Sequence, residues 1–276
     1  PLALSDYERQ MIELAKAHST KVVVLLNSDN PMEIRELKED AGISAILWVG
    51  APGMYGFEGV AKVLSGEVNP SGALADIYAS DSTSTPAMAN FGVISWTNAA
   101  SYLDTATDRG DYYLIEAEGI YTGYRYYETR YADLVMGQGH ADSTVGTFDS
   151  TGAWNYDKEV VYPFGYGLSY TTFDKTIGSF SYANDTVTFD VTVTNTGDTA
   201  GKDVVEIYFT PPYTDGGIEK ASVNLVDFAK TQVLDPGASE TISFSIPAEE
   251  LASYDSEGVK VRGGGYILEK GDYAVS

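Results

Sequence analysis

The sequence predicts two folding units in tandem: an α/β domain with a mostly parallel sheet, followed by an all-β antiparallel sandwich. Two observations carry this prediction. In the first third of the chain, apolar residues at helical spacing alternate with short continuous apolar runs, the pattern of helices laid on a parallel sheet. In the last hundred residues or so, TVTFDVTVTN, DVVEIYF and TISFSI alternate apolar and polar residues with period two, separated by turn signals such as NTGDTAG and LDPGAS. The chain has 276 residues, 43% of them hydrophobic, enough for the cores of both units.

Ser5-Asp6-Tyr7-Glu8 spells a capping box, so a helix is predicted over 6–18, with Tyr7, Met11, Leu14 and Ala15 as its buried stripe. The uninterrupted run Val22 to Leu26 reads as a strand buried on both faces. Asn30-Pro31-Met32-Glu33 offers an N-cap, a proline at the first helical position and an early acid, predicting a helix through Leu37 and then a second strand, Ala45 to Val49. GAPGMYGFEG is a glycine-rich turn opening a helix from Phe57 to Leu64. It carries neither G-x-G-x-x-G nor G-K-[ST], so a tight strand-to-helix turn is expected and not a phosphate cradle. Turn-rich text follows from Gly66, including NPSG at Asn69 to Gly72, and an aromatic, irregular stretch runs on to Tyr162. Within it, EGIYTGYRYYETRY (Glu118 to Tyr131) packs five tyrosines among two arginines and two glutamates. As a strand it would put Tyr124 and Tyr126 on one face and Tyr127 on the other. The boundary between the units is expected near Phe173, giving 1–173 and 174–276.

Forty acidic against seventeen basic residues leave a net charge of −23, which repels phosphate backbones and anionic lipid; no nucleic-acid partner is expected. No apolar run approaches the roughly 18 residues a membrane span needs, so no membrane partner is expected either. With no cysteine and two histidines, His18 and His140, neither a disulfide nor a metal site is expected, and no cofactor. Asn184-Asp185-Thr186 spells a glycan acceptor, and Arg109-Gly110-Asp111 an adhesion tripeptide that short strings match by chance. Asp104, Asp108, Asp111 and Asp142 lack calcium-loop spacing and read as solvated surface. The chain begins at Pro1 and ends in GYILEKGDYAVS, which resembles an unfinished strand, so a fragment of a longer polypeptide is expected. Bacterial cytoplasm and secretion both remain open as compartments.

Six motifs then converge in order. They are VVVLLNSDNPMEI, AILWVGAPGMYGFEGVAKVLSGEVNPSGALADIY, AMANFG, EGIYTGYRYYETRY, YPFGYGLSYTTF, and the sandwich text VTNTGDTAGKDVVEIYF with LDPGASETISFSI. Together they resemble the C-terminal portions of glycoside hydrolase family 3, over nearly the whole chain. The resemblance implies an α/β sandwich domain, incomplete here at its N-terminal side, followed by a fibronectin type III-like domain. It further implies a retaining, exo-acting β-glycosidase, typically a β-glucosidase, taking an oligosaccharide or β-glucoside substrate. In that family the nucleophile is an aspartate on a TIM-like barrel, and the acid/base is commonly a glutamate just before the segment matching Leu2 to Tyr7. Neither motif occurs here. Retention needs two carboxylates about 5–5.5 Å apart, so the chain alone is expected to be inactive, with the remainder of its own polypeptide, barrel included, as partner. The alternative is a non-catalytic carbohydrate-binding or scaffolding protein built from the same two modules.

Ligands of parallel sheets sit at the carboxyl edge of the strands. Asp29, after the first strand, and Met54, Tyr55 and Phe57, after the second, are therefore the candidate substrate contacts, with Trp96 in the irregular stretch. Aromatic rings there can stack on the apolar C–H face of a pyranose. Many family members carry an acid or amide near the position of Tyr55, which removes any polar contact from that point. Glu118, a carboxyl among tyrosines, is the candidate acid within this chain, but its expected role is structural, either pairing with Arg125 or capping the following strand.

Overall fold

The computed structural model describes residues 2–92, 94–95, 97, 112–116, 118–137 and 154–276. Helix α1 spans Asp6–His18 with its capping box intact: the Glu8 amide donates to the Ser5 hydroxyl at 3.3 Å, and the Ser5 amide to the Glu8 carboxylate at 2.7 Å. Strand β1 (Val23–Leu26), helix α2 (Arg35–Glu39), strand β2 (Ala45–Trp48) and helix α3 (Phe57–Ser65) follow. The two strands pair in parallel, Val23 opposite Ala45 and Leu26 opposite Trp48. Leu4, Leu26, Ile34, Leu37, Tyr78 and Val161 form the core behind them.

Three expectations for this unit are corrected. The stripe of α1 is not buried: Tyr7, Met11 and Leu14 are 84%, 63% and 62% exposed. Nor is β1 covered on both faces, because Val24 and Leu26 face the core while Val23 and Leu25 are exposed on the other side. The second helix does not begin at Pro31. Glu33 instead pairs with Ala3 as an isolated parallel bridge and accepts from the Ser82 hydroxyl at 2.7 Å, which delays the helix to Arg35.

Short strands β3 (Tyr78–Ala79), β4 (Ile94–Ser95) and β5 (Tyr112–Tyr113) and helix α4 (Pro86–Ala89) lead to α5, Tyr124–Tyr131. The tyrosine-rich motif is thus a helix, not a strand, entered through Gly123 at φ +55°. As a helix it buries Tyr126, Tyr127, Thr129 and Arg130 together; the Arg130 guanidinium lies 5.2 Å from the Trp154 ring centroid and donates to the Tyr126 hydroxyl at 2.5 Å. Helix α6 (Tyr156–Glu159) and strand β6 (Val160–Tyr162), which pairs with β3, complete the first unit.

The sandwich follows the period-two text closely. Strands β7 (Phe173–Ile177), β8 (Ser181–Ala183), β9 (Thr186–Asn195) and β12 (Ser239–Pro247) form one sheet, in the order β12-β9-β7 with β8 also on β9. Strands β10 (Val204–Thr210), β11 (Asn224–Lys230) and β15 (Ala274–Val275) form the other, ordered β11-β10-β15. Phe189, Val191 and Val193 of β9 meet Val205, Ile207 and Phe209 of β10 and Phe244 and Ile246 of β12 in the core. The glycan-acceptor tripeptide falls on the β8–β9 hairpin, whose turn residues Asn184 and Asp185 both take left-handed φ, +51° and +56°. A last hairpin joins β13 (Ser253–Tyr254) to β14 (Tyr266–Ile267). Its loop winds round the fully buried Asp255 carboxylate, which accepts from the amides of Val259, Lys260 and Val261 at 2.7–2.9 Å. Burial pushes the Asp255 pKa up, but these hydrogen bonds together outweigh it and hold the carboxyl below its ordinary range.

The units are joined by side-chain amides. Asn69 of VNPSG donates to the Ala200 carbonyl (3.1 Å) and accepts from the Ser169 hydroxyl (2.9 Å) and the Tyr170 amide (2.8 Å). Fully buried Asn195 accepts from the Thr171 hydroxyl (2.7 Å) and the Gly197 amide (3.1 Å), and donates to the carbonyls of Thr199 (2.9 Å) and Leu234 (2.8 Å). Asn195→Ala removes both functions of this amide and strands buried partners, so a loss of about 3 kcal/mol is expected, read as a lowered midpoint in urea. The depressed Asp255 carboxyl contributes stability that is present above the unfolded carboxylate pKa, about 3.9, and is lost as pH falls through the lower folded value. Asp255→Asn should therefore be less stable than the parent at pH 7, and the gap in melting temperature should shrink as pH drops below about 4. A constant gap would show that charge is not involved.

Candidate functional site

Strands β1 and β2 run in parallel and end level with each other, so the segments leaving Leu26 and Trp48 share the carboxyl edge of the sheet. The Trp48 indole N–H donates to the Ser28 carbonyl at 2.8 Å and ties the two segments together. The second turn is set by its glycines. Gly50 and Gly53 take φ of +57° and +62°, and a Cβ on Gly56 would lie 2.2 Å from the Pro52 carbonyl oxygen, which accepts from the Gly56 amide. Only glycine fits there without moving the turn.

This turn holds Met54 and Tyr55 out into solvent, each 86% exposed, with Phe57 half-exposed at the start of α3 and Trp48 half-exposed beside them. Asp29 lies on the neighbouring segment, exposed and without a side-chain hydrogen bond among the described residues. The nearby acids are otherwise engaged: Glu33 with Ser82, and Glu58 in an ion pair with Lys62 at 2.9 Å. The edge therefore presents apolar and aromatic surface with one free carboxylate. Four of the five candidates, Asp29, Met54, Tyr55 and Phe57, share it; Trp96 lies outside the described residues, as do His140 and the Arg109-Gly110-Asp111 tripeptide. Trp48 belongs to the same edge although it was not singled out from the sequence. Its signal was its position as the last residue of the strand pattern, where a side chain can reach the adjoining loop.

Glu118 sits elsewhere, in the turn leading into α5, where its carbonyl accepts from the Tyr121 amide at 2.8 Å. It does not pair with Arg125, one of the two roles expected of it. One Glu118 carboxylate oxygen and the Arg125 Nε are each buried without a hydrogen-bond partner, and the Arg125 guanidinium packs over the Tyr124 ring at 5.7 Å.

The tyrosine motif instead grips the sandwich. The Tyr121 hydroxyl donates to Glu219, Tyr124 accepts from the Leu225 amide at 2.9 Å, and Thr129 accepts from the Ser222 amide at 2.9 Å. Burial, followed by the Glu219 carboxylate, pushes the Tyr121 phenol far above its ordinary range, so it remains a donor. Glu128, on the same helix, accepts from the Tyr156 hydroxyl at 2.5 Å; burial raises its pKa, partly opposed by that hydrogen bond. In this stretch Glu128 is thus the carboxyl with the perturbed environment, and its place one turn after Tyr124 on a helix explains why a strand reading overlooked it.

Comparison with known proteins places this geometry. Residues 1–170 match the family model of the glycosyl hydrolase family 3 C-terminal domain, and residues 203–276 that of the fibronectin type III-like domain. β-Glucosidase A of Butyrivibrio fibrisolvens is 32% identical over 98% of the chain, and a β-glucosidase of Ruminococcus albus 32% identical over 98%. The chain covers 29% and 24% of those two proteins. Among solved structures, a β-glucosidase from Paenibacillus barengoltzii superposes with a TM-score of 0.76 at 31% identity, over 99% of this chain and 25% of its own. β-Glucosidase 3B from Thermotoga neapolitana, solved in complex with α-D-glucose, gives 0.73 at 30% identity, over 99% and 32%. This chain thus spans about a quarter to a third of the relatives it matches, and with its two modules in that order it belongs to glycoside hydrolase family 3, as the family's C-terminal domain followed by a fibronectin type III-like domain.

Proposed function

We propose that this chain is part of a retaining, exo-acting β-glycosidase, most simply a β-glucosidase, that releases terminal non-reducing β-linked sugars, with the barrel either before or after these two modules. The nucleophile and the acid/base lie outside the chain, which contributes one wall of the sugar pocket. The observation that carries this reading is the carboxyl edge of the β1–β2 sheet, where Met54, Tyr55 and Phe57 are exposed on a turn fixed by glycine, in a chain whose relatives are β-glucosidases. Such a surface stacks on a pyranose ring, with Asp29 able to accept from a sugar hydroxyl, and Trp96, outside the described residues, stays a candidate contact on sequence grounds alone. By itself it lacks the pair of carboxylates, about 5–5.5 Å apart, that retention requires. The rest of the polypeptide, with a TIM-like barrel, would supply them and cover the exposed stripe of Tyr7, Met11 and Leu14. The division into 1–173 and 174–276 forms part of the proposal, supported by β7 beginning at Phe173.

An aryl β-glucoside tests the assignment. The 276-residue chain alone is expected to give no turnover above background, and the polypeptide containing the barrel to give it readily; robust hydrolysis by the isolated chain would sink the placement of the carboxylates. In the active polypeptide, Tyr55→Ala should raise KM roughly 3- to 10-fold, the loss of one stacking contact. Glu118→Gln should leave kcat within about twofold of the parent, since a general acid contributes about 10²–10⁴-fold when removed.

A further inference from the structure

The fibronectin type III-like unit carries a second surface. Ser253↔Ile267 and Tyr254↔Tyr266 are opposed across the β13–β14 hairpin, and the two tyrosine rings meet edge to face with centroids 5.2 Å apart. The rings are not core: Tyr266 is 78% exposed and Tyr254 46%. The hairpin is nevertheless rigid by construction, because buried Asp255 pins its loop through three backbone amides, and a Cβ on Gly264 would come within 2.6 Å of the Tyr254 hydroxyl. Tyr266 and Leu268 line a cleft of about 730 Å³ together with Asp185, Glu249 and Glu250. Its opposite rim is the β8–β9 turn, where Tyr182, 63% exposed, donates to Asp185 at 3.1 Å.

We infer that this cleft binds a neutral β-glycan chain at a site distinct in its residues from the pocket proposed above; the choice of a glycan rests on that reading. The physical case has three parts. The exposed Tyr266 ring in the cleft, held edge to face by Tyr254 beside it, offers apolar surface to the C–H side of a pyranose ring and loses little entropy on binding. Carboxylates on the rim accept hydrogen bonds from sugar hydroxyls, which are donors in every unit of the chain. Finally, three acids at the cleft in a chain of net charge −23 disfavour polyanions, so the occupant carries no negative charge. At about 730 Å³ the open cleft has the volume for more than one ring, which suits a polymer over a single sugar.

The longest natural polypeptide that carries this chain is run through native gels containing soluble mixed-linkage β-glucan, and its hydrolysis of an aryl β-glucoside is measured in parallel. The parent should be retarded by the glucan. Tyr254→Ala combined with Tyr266→Ala should weaken that retention at least tenfold, Tyr266→Phe by less than twofold, and kcat/KM on the aryl β-glucoside should not change, because neither tyrosine belongs to the proposed sugar pocket. Equal retention of the parent and the double variant, or no retention of the parent, overturns the inference even where the glucoside is hydrolysed. Failure to hydrolyse the glucoside would instead strike the proposed glycosidase function. Should the double variant fold poorly, Glu249→Lys with Glu250→Lys keeps the rings and should also reduce retention; unchanged retention there counts against the carboxylates as acceptors.

Discussion

Much of this structure depends on one buried amide. Asn195 ends the long strand β9, and its side chain has a partner for each of its four hydrogen-bonding capacities, within the VTNTGDTAG turn, at Leu234 and at Thr171 of the inter-domain segment. A carboxylate could not donate to the two carbonyls, and an aliphatic side chain could satisfy none of the four. Three turns are therefore fixed by one residue. Asn69 repeats the device from the other side, reaching Ala200 in the same turn while capturing Ser169 and Tyr170. Gly201 lets the two approach: a Cβ there would meet the Asn69 amide nitrogen at 2.6 Å.

Seen through these contacts, the motifs that mark the family are mostly joints. VNPSG, GYGLSYT and VTNTGDTAG converge on the amide junction, and EGIYTGYRYYETRY provides a second fastening through Tyr121, Tyr124 and Thr129. Two fastenings at separate places resist rotation of one unit against the other, which a single hinge would not. Lys230, donating to the Ser71 carbonyl at 2.6 Å, adds a third, more exposed contact. In this stretch Glu128 and Arg130 are engaged with Tyr156, Tyr126 and Trp154, whereas one Glu118 carboxylate oxygen and the Arg125 Nε are buried without a hydrogen-bond partner.

How legible this was depended on how local the signal is. The capping box at Ser5, the sandwich strands and the tight turn before Phe57 each follow from a few neighbouring residues, and each stands in the structure. The misreadings concern what lies across space. Asn30-Pro31 has the chemistry of a helix start, yet the bridge to Ala3 and the Ser82 hydroxyl hold Glu33 in an extended conformation. The tyrosine stretch suits a strand by composition, but Gly123 and the three contacts to the sandwich favour a helix. The apolar spacing of α1 reads as a buried stripe, yet Tyr7, Met11 and Leu14 are exposed among the described residues, because periodicity marks an apolar face without saying what covers it. Glu118 and Arg125, close in sequence and opposite in charge, are kept apart by the turn between them.

The exposed apolar residues of the first unit separate into two kinds, and the distinction bears on the proposed pocket. Tyr7, Met11 and Leu14 recur at i, i+4 and i+7, which makes one continuous helical face of the sort that another layer of protein buries. Each such side chain left in water forgoes about 1.5–3 kcal/mol of burial, so the face strongly favours a packed partner. Met54, Tyr55 and Phe57 have no such period. They stand on a turn whose backbone needs glycine at 50, 53 and 56, and the Trp48–Ser28 hydrogen bond braces it from beneath. A packing surface can adjust its backbone to its partner; on the proposed reading, a turn held this tightly while displaying its largest side chains suits a rigid, flat ligand. On the proposed reading, the helix face fastens this chain to the catalytic part, and the braced turn gives that part a wall against which a sugar ring can lie.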